Sequence, residues 1–516
     1  MKLGDLCATA GLDCPAENAS LEIRGIQTDS RLVHEGDLYV CIRGLHTDGH
    51  AYARDALERG AICVVTDEDD TQRMPCGVCR LRARDTRRAC AQLYNAFWGD
   101  PVSKMKFIGV TGTNGKTSVT HMLRAIMEAA LWRCGLIGTV GCESAGRALD
   151  ARSDNALANM TTPDPSVLYR LLAQMAEDGV EYVIMEVTSH ALALGKLAPI
   201  RFEAGIFTNL TPDHLDFHGD MESYAKVKAS FFTTCKLSII NVDSPYAALM
   251  TQSAKGRVIT CSPSGGAADY FAQDSVLLPE GGVEYRLCST KSRMKLRCPV
   301  SGIFSIANSM QAAICAKELG VGVSCIQTAL SSLTGVRGRM ERVRLGMDAD
   351  FEVLIDYAHT PDALENLLRT VKTLGRKGKI VLLFGCGGDR DKTKRPVMGE
   401  IACRLADEVI VTSDNSRSED PMEIIADILG GTQKKNTRVI PDRREAIFSA
   451  VLGARTGDVI LLAGKGHEEY EISRAGRVRF SEREIVRQAY EERIRGECQG
   501  QGNEPSDEQE ESQDEN

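Results

Sequence analysis

The sequence predicts an α/β protein of three domains: a small amino-terminal α/β domain, a central domain whose parallel sheet carries a P-loop, and a carboxyl-terminal Rossmann-like domain. Three observations predict this. The chain has 516 residues, enough for about three domains of ~100–200 residues each. Apolar strand-like runs alternate with helical patterns through two long blocks, which argues for parallel sheets covered by helices. In the middle block, Gly109-Val-Thr-Gly-Thr-Asn-Gly-Lys-Thr117 falls where a strand must turn into a helix. The expected divisions are 1–100, 101–340 and 341–495, with 496–516 as a tail.

The first block holds a strand (Asp37–Ile42), a helix (Tyr52–Glu58) and a second strand (Ile62–Val65), and Pro101 marks its end. The middle block opens with the strand Phe107–Val110 and a helix from Thr117. It continues as helix Ser166–Asp178, strands Tyr182–Glu186 and Gly205–Asn209, helix Tyr224–Phe232 and strand Leu237–Val242. From Val258 to Val300 short alternating runs predict an antiparallel insert, closed by the helix Ala307–Glu318. The third block has strands Phe351–Asp356, Ile380–Phe384, Glu408–Thr412 and Val459–Ala463, with helices such as Pro361–Leu374 and Pro421–Leu429 between them. In open sheets of this kind ligands collect at the carboxyl ends of the strands.

Composition narrows the partners. Hydrophobic residues make up 43% and charged residues 26%, ordinary for a globular chain. The net charge of −9 is concentrated after Arg495, where eight acidic residues and no basic one occur. The remainder is near neutral, which argues against a bulk nucleic-acid or membrane-surface role. The acidic tail has little to bury and is expected to be disordered. No apolar run approaches a membrane span and no secretory leader is recognised. The eighteen cysteines therefore read as reduced thiols in a cytoplasmic protein. Cys76-Gly-Val-Cys79 lacks a second pair with metal-ligand spacing and reads as packing on a strand.

The glycine-rich run points to ATP. Backbone N–H groups of such a turn point at an anion, and the following helix adds its positive end. Gly112, Thr113, Asn114, Gly115 and Ser118 shape the cradle. Lys116 can reach the terminal phosphates, and Thr117 can ligate Mg²⁺. Val110 stands where a strict P-loop has glycine, so the match is to the Gly-Lys-Thr end.

Gly112-Thr-Asn-Gly-Lys-Thr117 resembles the signature shared by Mur ligases and folylpolyglutamate synthases, and the resemblance extends along nearly the whole chain. Thr28-Asp-Ser-Arg31 with Gly36-Asp37 resembles an amino-terminal UDP-binding segment. Glu186-Val-Thr-Ser-His190, Asn209-Leu-Thr-Pro-Asp-His-Leu-Asp216 and His218-Gly-Asp220 resemble the central domain. Asp356-Tyr-Ala-His-Thr-Pro361, Phe384-Gly-Cys-Gly-Gly-Asp-Arg-Asp391 and Gly464-Lys-Gly-His-Glu468 resemble the carboxyl-terminal domain. Together these are similar to the Mur ligase family, MurE type, which adds the third residue of a stem peptide. The resemblance implies a cytoplasmic, monomeric, ATP- and Mg²⁺-dependent amide ligase of peptidoglycan synthesis. It would join a diamino acid to the D-Glu of UDP-MurNAc-L-Ala-D-Glu through an acyl phosphate.

The same resemblance implies residue roles. Thr117 would hold one Mg²⁺, and Glu186 and His214 a second. Lys228 would be carbamylated, because an ammonium beside Mg²⁺ is repelled; an exposed helical lysine is the ordinary alternative. Asn308, Arg339 and Asp356 would serve the adenosine side of ATP. Thr28, Ser30, Thr161, Thr162, Thr188 and Lys196 would contact the UDP precursor. Arg390, Asp414, Asn415, Ser416, Arg417, Gly464 and Glu468 would form the amino-acid pocket.

Asp414-Asn-Ser-Arg417 is similar to the Asp-Asn-Pro-Arg run of meso-diaminopimelate-specific members. A guanidinium suits the distal carboxylate of that substrate, so meso-2,6-diaminopimelate is favoured over lysine and ornithine, which lack it. The chain departs from the pattern at Ser416 (proline), Met160 (often Asn), Lys196 (Arg), Leu194 (a polar residue) and Thr188 (Ser). Ser416 leaves the loop less rigid, so Arg417 could turn toward Glu419. Two other readings stay open: a folylpolyglutamate synthase-like ligase, against which the amino-terminal block argues, and a nucleotide-switched binding protein.

Overall fold

A computed structural model describes residues 1–44, 47–70, 78–150, 160–278, 281–346, 349–373, 375, 378–432 and 436–501. The chain forms two compact units, 1–334 and 335–516.

The first unit contains two sheets. Strands β1 (Gly25–Gln27), β2 (Asp37–Val40), β3 (Cys63–Asp67) and β4 (Cys79–Ala83) pair in chain order, all parallel. Asp85 caps the helix Thr86–Phe97 that follows, accepting from Arg87 N and Arg88 N, which satisfies two of the orphan amides at a helix start. Of the Cys76–Cys79 motif, Cys76 lies outside the described residues. Cys79 is buried on β4 and its Sγ accepts from Cys63 Sγ at 3.2 Å.

The second sheet has eleven strands. They are β5 (Lys106–Thr111), β6 (Cys134–Gly138), β7 (Gly141–Ser144), β8 (Arg147–Leu149), β9 (Tyr182–Glu186), β10 (Phe202–Phe207), β11 (Cys235–Asn241), β12 (Arg257–Ser262), β13 (Tyr270–Leu277), β14 (Val283–Ser289) and β15 (Arg293–Cys298). Their spatial order is β15-β14-β13-β12-β11-β10-β5-β9-β6-β7-β8. From β13 through β6 the neighbours are parallel. Both faces are covered: Phe107 packs into one core, while Ile108 and Val110 pack with Val119 and Met122 of the helix Lys116–Ala129 in the other. Double-sided burial is why these strands read as continuous apolar runs.

The antiparallel stretch differs from the expected insert. β12 pairs parallel to β11 and β13 parallel to β12, and β14 and β15 then add antiparallel. The segment extends the central sheet, because the free edge of β12 offers unpaired backbone groups for further strands. β15 alternates exposed and buried residues, the pattern of a strand covered on one face.

The second unit has β16 (Glu341–Arg342), β17 (Glu352–Asp356), β18 (Ile380–Phe384), β19 (Glu408–Val411), β20 (Thr437–Val439) and β21 (Val459–Ala463) in the order β16-β17-β21-β18-β19-β20, parallel except β16. Leu354, Leu382 and Leu461 face one core; Val353, Leu383 and Leu462 face the other. A hairpin, β22 (Tyr470–Ser473) and β23 (Gly476–Arg479), follows. The last helix spans Glu482–Gln501. It runs past residue 495, where the tail was expected to begin, since no proline intervenes before Pro505. The rest of the expected disordered tail, 502–516, lies outside the described residues. Among the described residues no helix is long and apolar enough to cross a membrane.

Candidate active site

In the first unit β5 ends at Thr111 and the chain turns through residues 112–115 into the helix that begins at Lys116. Gly112 and Gly115 hold φ of 149° and 88°, conformations that glycine adopts without steric cost. A Cβ on Gly112 would collide with Thr208 Oγ1, and one on Gly115 would lie 2.5 Å from Asn308 Oδ1. The loop is anchored from β10's end: Asn114 N donates to Asn209 Oδ1 (2.9 Å) and Thr208 Oγ1 donates to Asn114 O (2.6 Å). The Lys116 ammonium rests on the Gly112 and Thr113 carbonyls at 2.9 and 2.8 Å. Ser118 and Thr117 are buried at the helix start.

Glu186, 1% exposed at the end of β9, is the hub of a hydroxyl cluster. Its Oε2 accepts from Thr117 Oγ1 (3.1 Å) and Thr139 Oγ1 (3.0 Å), and its Oε1 from Thr139 N (2.8 Å). Thr139 Oγ1 meets Thr161 Oγ1 at 3.0 Å. Thr162 Oγ1 donates to Glu186 O (2.8 Å) and meets Thr188 Oγ1 at 3.1 Å. Sequence reasoning named Thr117, Thr161, Thr162, Thr188 and Glu186, which the structure brings together. It missed Thr139, whose signal is its place after Gly138 at the end of β6. Among the described residues no three of His, Cys, Asp and Glu converge on a closed metal site. The hard oxygens of Thr117 and Glu186 nevertheless fit Mg²⁺, which takes few protein ligands and completes its shell with water and phosphate.

His214 adopts a left-handed φ of 54°, with Nε2 3.4 Å from Asp213 Oδ2. Its ring lies 4.9 Å from His190, which lies 5.7 Å from His218. Lys228 is not the exposed helical lysine of the ordinary alternative. It is 1% exposed, donates to Gly112 O at 3.0 Å and stands over the Tyr224 ring. Lys196 is buried and pairs with Asp164 Oδ1 at 2.7 Å. Thr28 is exposed and Ser30 buried in the turn after β1, where Asp29 pairs with Arg31 at 2.7 Å.

In the second unit Asp356 ends β17 and accepts from Met340 N (2.7 Å) and Ala358 N (2.8 Å). Burial pushes its carboxyl up, against the opposing pull of Arg339. The Arg339 guanidinium lies 4.7 Å over the Tyr357 ring. The amino-acid residues sit on the loops that leave β18, β19 and β21. Gly388 N donates to Asn415 O (2.9 Å), Arg417 Nη1 to Gly388 O (2.6 Å), and Asn415 Nδ2 to Glu468 Oε2 (2.7 Å). Ser416 is buried, and Gly464 N donates to Asp356 O at 3.1 Å. Arg390 is exposed, with Nη1 on Asp389 O.

Arg417 does not turn onto Glu419. It holds φ of 51°, and Glu419 is already bound by Arg395 (2.9 Å) and Lys392 (3.1 Å). Burial alone would raise the Asp414 carboxyl, but Lys465 and Arg443 hold it below the ordinary range. Glu468 is pushed up by burial and by Asp414, with Lys465 opposing. Lys465, Arg395 and Arg443, all buried, were not singled out in the sequence.

Family models match three stretches: the Mur ligase family catalytic domain over residues 22–98, the Mur ligase middle domain over 110–316, and the Mur ligase glutamate ligase domain over 338–466. A UDP-N-acetylmuramoyl-L-alanyl-D-glutamate--2,6-diaminopimelate ligase of Caldanaerobacter subterraneus subsp. tengcongensis is 42% identical over 474 residues, 91% of this chain and 95% of that protein. A solved structure of an enzyme of the same name aligns with TM-score 0.66 and 31% identity, covering 96% of this chain and 100% of that one. The ligase MurF of Thermotoga maritima, solved with ADP, shares the fold with TM-score 0.60 at 18% identity, over 92% of this chain and 98% of that one. With three family models in chain order and a relative of this identity across nearly its full length, the chain belongs to the Mur ligase family and is a ligase.

Proposed function

We propose that the chain is the ATP-dependent ligase that joins meso-2,6-diaminopimelate to the D-Glu of UDP-MurNAc-L-Ala-D-Glu in cytoplasmic peptidoglycan synthesis. The carrying observation is Asp414-Asn-Ser-Arg417 at the carboxyl end of β19, in a chain that matches a 2,6-diaminopimelate ligase over 95% of that protein's length. Residues 1–100 are assigned to the UDP end of the precursor, 101–340 to ATP and 341–495 to the amino acid. Thr28, Ser30, Thr161, Thr162, Thr188 and Lys196 receive the precursor, and the enzyme works as a monomer.

The reaction needs two displacements. A carboxylate oxygen of D-Glu attacks the γ-phosphorus of ATP, releasing ADP and leaving an acyl phosphate. The free amine of the diamino acid then attacks the acyl carbon, phosphate departs, and the nitrogen loses a proton. Lys116 and the loop from Gly112 to Ser118 bind and orient the phosphates, where fixed donors are worth most in the transition state. Asn308, Arg339 and Asp356 are assigned to the nucleotide. Thr117 would hold one Mg²⁺, and Glu186 with His214 a second; when bound, the metal would supply charge neutralisation for the two anions that must meet. Lys228 serves as a carbamate. Glu468 and Asp414 receive ammonium groups of the diamino acid, together with Asn415, Ser416 and Gly464, while Arg390 and Arg417 receive its carboxylates.

Among the described residues no carboxylate forms an ion pair with Arg417; its Nη1 donates only to the Gly388 and Asn415 carbonyls. A lysine or ornithine side chain would bring an ammonium to that guanidinium, whereas diaminopimelate brings a carboxylate. A site built for a polar group rejects the analogue lacking it by up to ~10⁴-fold. The test compares kcat/KM for the three diamino acids in wild type and Arg417→Ala. Wild type should prefer diaminopimelate. The variant should lose ~10–100-fold on it, the worth of a charge-assisted hydrogen bond, and little on lysine. Wild-type preference for lysine or ornithine would overturn the substrate assignment.

A further inference from the structure

We propose that Lys465 is a positioning residue for the diamino acid, acting through Asn415 on Glu468; this rests on the amino-acid pocket assigned above. Lys465 is fully buried, and a buried ammonium persists only where its donors are matched. Its Nζ finds three acceptors for three N–H bonds: Asn415 Oδ1 (3.0 Å), Tyr470 O (3.0 Å) and Asp414 Oδ1 (3.4 Å). It therefore ties together the loop after β19, the loop after β21 and the first residue of the hairpin. Phe480 closes the site, its ring 5.5 Å from the ammonium.

Asn415 has two chemically distinct ends, and the structure assigns each a job. Oδ1 receives Lys465 Nζ and Ile472 N, both at 3.0 Å. With the oxygen so engaged, the amide nitrogen is turned to Glu468, donating to Oε2 at 2.7 Å. The orientation follows from the network, since only an oxygen can accept from two donors. A rotated amide would set its N–H₂ against the Lys465 ammonium and the Ile472 N–H. The ammonium thus fixes which end of Asn415 faces Glu468, and Asn415 in turn fixes the carboxylate assigned to the substrate ammonium.

The consequence is selective. Loss of Lys465 loosens the amino-acid carboxylate and leaves the phosphate loop, which lies in the other unit, unchanged. Part of its effect runs through Asn415 and shrinks once Asn415 is gone, while its pairing with Asp414 and its pull on Glu468 remain. The experiment measures KM for the diamino acid, ATP and the UDP precursor in wild type, Lys465→Met, Asn415→Leu and the double variant, with melting curves to verify folding. Lys465→Met should raise the diamino-acid KM by ~10-fold or more, with less than about twofold change for the other two. In the Asn415→Leu background the same change should raise that KM by a smaller factor than it does in wild type, the non-additivity of coupled neighbours. Independent, multiplying effects, or equal rises in all three KM values, would overturn the inference. If Lys465→Met does not fold, Lys465→Gln, which keeps a donor, takes its place in the same cycle. A wild type inactive with every diamino acid would instead refute the proposed function. The crystal structure of the Lys465 variant then decides the inference: Glu468 displaced from Asn415 supports it, and Glu468 in place overturns it.

Discussion

Burial, with Lys116 close by, pushes the Lys228 ammonium well below the ordinary lysine range, against a smaller opposing pull from Asp213. The buried setting thus favours the neutral amine over the ammonium. A neutral amine is the form that attacks carbon dioxide: the nitrogen bonds the carbon, a proton leaves, and an anionic carbamate results. The sequence shows only a lysine two turns into a helix; the burial that makes it nucleophilic comes from Thr111, Gly112 and Tyr224, up to 117 positions away. Lys228→Ala should lose catalysis by several orders of magnitude while folding normally, and a short carboxylic acid should restore part of it by replacing the anion. Intact mass adds the second readout, since active enzyme should carry one carbon dioxide on this residue. Active enzyme with an unmodified Lys228 would refute the assignment.

Two buried guanidiniums act at the scale of loops and helices. Arg395 sits on the helix Lys394–Leu405 and binds Glu419 at 2.9 and 3.0 Å, Asp427 at 2.8 Å and Gly387 O at 3.2 Å. It ties the loop after β18 to the loop after β19. Hydrogen bonding to Arg395 is the main cause that lowers the Glu419 carboxyl to about 2, against burial. The folded protein keeps Glu419 ionised where the unfolded chain has taken up a proton. This stabilisation is full above pH ~4.5 and is lost as pH falls toward about 2. Glu419→Gln should therefore melt below wild type at pH 7, by roughly 1.5–3 kcal/mol for charged hydrogen bonds, and the gap should narrow at pH 3. A gap that ignores pH would exclude the ion pair as its cause. Arg443 spans β19 and β21, donating to Ser413 O and Ala463 O while pairing with Glu482 at 2.8 Å, both residues buried. Arg443→Met should cost about 3–5 kcal/mol in denaturant unfolding by stranding Glu482, and the double change Arg443→Met with Glu482→Met should cost less.

At the scale of the molecule, what the sequence disclosed depended on how local each determinant is. The phosphate loop is nine consecutive residues and the alternation of strands and helices is periodic, so both are legible. Asp414 to Arg417 and Gly464 to Glu468 are legible as short runs at strand ends. The roles of Arg395, Arg443 and of Lys465 within that second run are not, because the carboxylates they pair with lie 24 to 51 positions away and no local pattern marks a buried cation. The attachment of β13–β15 to the central sheet escaped for the same reason: alternation reports one covered face, and says nothing of which edge a strand joins. The chemistry assigned to the chain makes a demand that no single loop meets. The acyl phosphate forms only when ATP and the precursor carboxylate are bound, and it is consumed only when an amine arrives. ATP with the precursor alone should thus release at most about one phosphate per enzyme, ATP with the diamino acid alone none, and all three together should give continuous turnover. A nucleotide-switched binding protein would hydrolyse ATP without either acceptor, and a folylpolyglutamate synthase-like ligase would ignore the UDP precursor. Timed phosphate release with each pair and with all three separates these outcomes, and steady release from ATP alone would refute the ligase mechanism proposed here.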